Sequence, residues 1–140
     1  MDDVEVFGMA EETLAEVLGR VGPQHRGIRV GPVAERPGWD GVAPLARLAE
    51  RGPGAPAHGE LVEAAALRSF LAHDVAMALG SRACPLPEAL AEALFTRMEP
   101  DAGRWRACGV FRDRLPLPAG HVSWRDRFLL LAGRDPHPFD

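Results

Sequence analysis

Leu67–Gly80 reads LRSFLAHDVAMALG, and its reading decides the fold. Leu67, Phe70, Leu71, Val75 and Leu79 recur at three- and four-residue intervals, the spacing of a helix with a buried stripe. Gly80 suits the left-handed position just beyond a helix end. The spacing therefore predicts a long helix from about His58 or Gly59 to Leu79. Into this apolar pattern the chain sets one imidazole and one carboxylate, His73 and Asp74, and the question is whether the pair does chemistry.

Toward the C-terminus, Pro87 suits the first position of a further helix through Leu90, Leu94 and Met98, interrupted at Pro100. A turn or two continues to Ala107, with Gly109 as the stop. VFRDRLPLPAG (110–120) cannot be helical around Pro116 and Pro118 and is expected to lie extended across the bundle. Ser123, with Asp126 three residues on, opens a last helix, Trp124 to Ala132, closed by Gly133.

Toward the N-terminus, Asp2 or Asp3 caps a first helix whose apolar positions are Phe7, Ala10, Leu14, Val17, Leu18 and Val21. Residues 22–38 read as a Gly- and Pro-rich loop with a short extended piece at Ile28–Val30. Asp40 is expected to cap a short helix through Val42, Leu45, Leu48 and Ala49, with Pro44 in its first turn, where the missing N–H costs nothing. Five helical segments and no sustained alternation give an all-α, up-and-down bundle, a single domain over residues 1–140 with a Pro-rich extended C-terminal segment and a short final helix.

The 140 residues suffice to bury a core without staples. All sixteen basic residues are arginine; Lys, Asn and Tyr are absent and Ile occurs once, so a genomic codon bias accounts for the arginines. With a net charge of -4 there is no reason to expect nucleic acid as a partner. The two cysteines, Cys84 and Cys108, lack metal-ligand spacing and are too few for a disulfide framework. The acidic start and the lack of a long apolar run predict a soluble cytoplasmic protein with no membrane partner.

Two stretches together, PGWDGVAPLARL (37–48) and the run from HDVAMALG to GVFRDRLPLPAGHVSWRDRFLLLAGRDP, resemble a known family. It is the DinB-like helical bundles of the mycothiol-dependent maleylpyruvate isomerase type, in their actinobacterial metal-binding branch. The resemblance implies a divalent-metal site built from a His late in the Gly-Trp helix and from a carboxylate and a His on the later helix. Aligned on Trp39, the first ligand position holds Arg47. Aligned on Asp74-Val75-Ala76, the other two hold Leu71 and Leu67. Two leucines and a guanidinium cannot converge on an ion within coordination distance, so the expectation is no metal and no cofactor. The family also inserts a further helix where this chain has only RGPGAPAHG (51–59), which predicts an uncovered apolar face and a homodimer that covers it.

The candidate catalytic groups are therefore Arg47, whose guanidinium fork suits an anionic substrate, Asp74, which lies near the former ligand stripe, and Glu63, one turn before it. Asp74 is expected to make a buried contact to Arg47 or a backbone N–H. Trp39, Leu67, Leu71, His58 and His73 are candidate substrate-binding residues. His73 sits about 200° around the helix from Leu71 and is expected in a structural or surface role.

The function these residues suggest is a metal-independent enzyme of isomerase or cyclase type from bacterial specialised metabolism, acting on a small molecule in an apolar bundle pocket. The alternatives are a non-catalytic ligand-binding or protein-partner module of the same fold, and a metal- and thiol-dependent isomerase or transferase with rearranged ligands.

Overall fold

A computed structural model describes residues 1–25, 28–30, 43–44 and 61–138. Asp2 opens the first helix, α1 (Asp3–Leu18), its carboxylate accepting the Glu5 N–H at 2.8 Å. The buried stripe of α1 is Val6, Ala10, Thr13, Leu14 and Val17. Val21 lies past the helix, which turns at Gly19.

A two-residue antiparallel pairing follows, β1 (Arg29–Val30) with β2 (Ala43–Pro44). The extended piece expected at 28–30 is thus present. Ala43 and Pro44, expected in the first turn of a helix, are instead strand residues. Pro44 carries no backbone N–H to donate, which a two-residue edge pairing tolerates. The rest of that expected helix, with Trp39 and Arg47, lies outside the described residues, as does His58.

The central element is α2 (Leu61–Ala78), and it is buried almost all round. From Glu63 to Ala76 only Asp74 escapes full burial. A helix without a solvent face belongs in the middle of a bundle, and α1 packs along α2. The buried polar residues of α2 are engaged. Arg68 Nε donates to Glu11 at 3.0 Å and its guanidinium lies 4.8 Å from the Phe7 ring centre; Ser69 Oγ donates back to the Ala65 carbonyl. Gly80, at φ +87°, ends the helix with the two bonds of a Schellman turn, Ser81 N–H to Ala76 and Gly80 N–H to Met77.

The chain continues through α3 (Glu88–Met98), a 3-10 turn (Glu99–Asp101), the six-residue α4 (Ala102–Ala107) and α5 (Trp124–Leu131). Pro87 is the N-cap of α3, one place earlier than expected. Ser123 caps α5 by accepting the Asp126 N–H. Glu88 also holds the start of α5, accepting from Trp124 and Arg125 at 3.0 and 3.1 Å, where a carboxylate meets otherwise unpartnered amides and the positive end of the helix dipole.

Between α4 and α5 the chain runs without helix, as Pro116 and Pro118 require. It is stitched to the end of α5 by Arg112 N–H to Ala132 and Leu115 N–H to Leu130. This brings Phe111 to the core, edge-on to Phe70 and Phe128, which stack at 5.4 Å. The described protein is all-α apart from the β1–β2 pairing, with four helices of eight residues or more. Among the described residues no helix is long and apolar enough to cross a membrane.

Gly80 and Gly133 both adopt positive φ, but a methyl at Gly80 meets open space whereas one at Gly133 would sit 2.6 Å from Arg112 Cβ and the Asp113 carbonyl. Gly80→Ala should cost about 1–2 kcal/mol for the left-handed backbone. Gly133→Ala should cost roughly 2–4 kcal/mol, because overpacking is added. Urea unfolding of the two variants checks the order.

Candidate functional site

His73 and Asp74 occupy successive positions near the end of α2, and both meet the segment that follows α5. That segment leaves the helix at Gly133, with Arg134 N–H bonded to the Leu129 carbonyl at 2.8 Å. Its next two residues face the pair. His73 Nε2 lies 3.1 Å from the Asp135 backbone carbonyl, and Arg134 Nε lies 3.7 Å from Asp74 Oδ2. Arg134 is itself buried, its guanidinium 4.2 Å from the centre of the Phe70 ring.

A carbonyl oxygen only accepts, so His73 carries its proton on Nε2 and Nδ1 is bare. Nδ1 is buried and has no hydrogen-bond partner among the described residues. Burial, aided by the nearby Arg134 charge, holds the pKa of His73 below its ordinary value. The imidazole is therefore neutral at pH 7.

Asp74 has the opposite shift. Burial pushes its carboxyl up to about 7, against the pull of Arg134 and Arg112, which lower it. Arg134 Nε stands 3.7 Å from Asp74 Oδ2, and the charge and hydrogen bond that Arg134 offers compensate only part of the desolvation cost. The result is a carboxyl that exchanges protons near neutrality beside two cations, the condition for general acid–base chemistry.

Asp74 is partly buried with Arg134 as its charged neighbour, while Arg47, the expected partner, lies outside the described residues. His73 is buried in the core, not at the surface. Glu63 is buried and engaged in the first turn of α2, ten residues and about 15 Å along the axis from His73, too far for the two to share an ion. Leu71 and Leu67 lie within the hydrophobic core cluster, Leu71 fully enclosed. Neither they nor Glu63, His73 or Asp74 line the open groove of about 470 Å³ beside Arg97, Arg104 and Trp105. The same holds for the groove of about 290 Å³ beside His25 and Ser81.

Among the described residues no three His, Cys, Asp or Glu side chains are grouped to hold a metal. Both cysteines are free thiols, and burial raises Cys84 to about 11, which leaves it no nucleophilic thiolate at neutral pH. Arg134 and Arg112 were not read from the sequence as site residues. Arg134 belongs to the Gly-Arg-Asp-Pro run of the C-terminal resemblance. Comparison of the chain with protein families, curated proteins and solved structures found no match.

Because Asp74 titrates near 7 in the folded protein and near 3.8 when unfolded, the folded state holds the extra proton between those values. Its contribution to stability is full below pH 3.8 and is lost as pH rises to 7. Asp74→Asn removes this dependence. Relative to the variant, the wild type should lose on the order of 4 kcal/mol between pH 4 and 7.5, measured by urea unfolding across that range.

Proposed function

We propose that this chain is a shortened DinB-like bundle that acts, without a metal, on a small apolar or anionic molecule in an isomerase- or cyclase-type reaction. The observation that carries the reading is Asp74, a carboxyl poised near neutrality with Arg134 and Arg112 beside it. In this scheme Asp74 takes and returns a proton, and the arginines steady the negative charge that develops on the substrate. Arg134 fills at Asp74 the part that sequence reading gave to Arg47. The bundle assignment is supported by the order of helices, by the extended 110–122 segment and by the way Gly-Arg-Asp-Pro seats on His73 and Asp74. Metal independence is argued from Arg47, Leu67 and Leu71 standing at the family's ligand positions.

A second reading is favoured by the enclosure of Leu67 and Leu71 in the core, where they pack rather than wall a pocket. In that reading the chain is a non-catalytic module for a ligand or protein partner, and Asp74–Arg134 is structural. The homodimer belongs to both proposals and rests on the short 51–59 connection; Met1, Val4 and Leu117 are the large hydrophobics that stand exposed among the described residues.

Deuterium uptake from heavy water into a panel of enolisable and unsaturated carboxylic acids, followed by proton NMR, separates the readings. The first expects uptake that falls at least about 100-fold in Asp74→Asn and in Arg134→Gln, with circular dichroism unchanged. No uptake on any panel member, or equal uptake in the variants, favours the second. Untagged protein offered zinc, nickel and manganese should return far below one equivalent by mass spectrometry; a full equivalent would restore the metal- and thiol-dependent reading.

A further inference from the structure

The C-terminal arm from Gly133 to His137 is fastened to α2 by two side chains, and one of them tolerates a single protonation state. His73 Nε2–H serves the Asp135 carbonyl at 3.1 Å, while its Nδ1 is enclosed and has no hydrogen-bond partner among the described residues. A second proton on Nδ1 would create a buried donor with nowhere to go. It would also add a positive charge beside Arg134 and toward His137, opposed by the Asp135 carboxylate. The remaining charges on this seam are Asp74, which faces Arg134 and Arg112, and Asp126, which pairs with His137 at 2.9 Å on the solvent side. Arg134 and Pro136 are the buried anchors of the arm.

We propose that His73 is a proton-operated release for this arm: neutral His73 holds the arm on α2, and protonation of His73 lets it go. The sign follows from linkage. With the arm docked, burial keeps His73 below the ordinary imidazole value of 6.5; with the arm away, the ring regains water and moves back toward it. The undocked form then binds one more proton, so its population rises as pH falls below 6.5, by up to tenfold per pH unit. The proposal does not depend on the enzyme reading, since the arm and its two contacts are present in either.

Amide exchange by NMR on the full chain, corrected for intrinsic rates, tests it. The Arg134 amide, bonded to the Leu129 carbonyl, reports on the arm, and the Phe70 amide on the core. Between pH 7 and 5 the protection of Arg134 should fall, by up to about twentyfold, while that of Phe70 holds. His73→Gln keeps a donor for Asp135 but has no titration, and should abolish the fall; Asp74→Asn should retain it. A pH-independent Arg134 amide overturns the proposal, and so does a fall that survives His73→Gln or vanishes in Asp74→Asn. Should His73→Gln fail to fold, the wild-type imidazole shifts decide. Titration of His73 at 6.5 with Arg134 still protected contradicts the release.

Discussion

Everything in this protein is arranged around an eighteen-residue helix that has no solvent face. Leu61–Ala78 is covered by α1 on one side and by the Phe111–Phe128 layer on another, so each polar side chain it carries must be answered within the protein. Arg68 is answered by Glu11 from α1 and Ser69 by its own helix backbone. His73 and Asp74 are answered by the two residues that follow Gly133. The extended 110–122 segment and the turn at Gly133 exist, in this account, to deliver that arm to the helix. Phe70, which stacks on Phe128 while Arg134 lies over its other surroundings, joins the apolar core to the polar seam.

The energetics of that seam are unequal by construction. His73 is well placed only when neutral, and at Asp74 burial outweighs the charge and hydrogen bond that Arg134 supplies. Pairs of titratable groups whose surroundings push their pKa values in opposite directions are where proton chemistry or proton-driven switching is found.

The helices were legible because their signals are local. Asp2, Ser123 and Gly80 act on amides and carbonyls within five residues of themselves, and each does in the structure what its type and position imply. Pro44 misled because a proline fits a first helical turn and a two-residue edge pairing equally well, and only the partner strand, fourteen residues earlier, distinguishes them. The partner of Asp74 was illegible for the same reason on a larger scale. Arg134 lies sixty residues away, and no periodicity or spacing carries that information. The burial of His73 follows from the all-round enclosure of α2, which a two-residue step away from one stripe cannot reveal.

Proton exchange at this seam depends on the ionisation of one side chain. Carbon-detected NMR of the Asp74 carboxyl, titrated from pH 3 to 9 in the wild-type protein, reads it directly. A midpoint near 7 is the predicted result and would establish a core carboxyl that exchanges protons at neutral pH beside Arg134. A midpoint at or below 4.5 would contradict it, and would make the Asp74–Arg134 contact an ordinary ion pair with no proton to give.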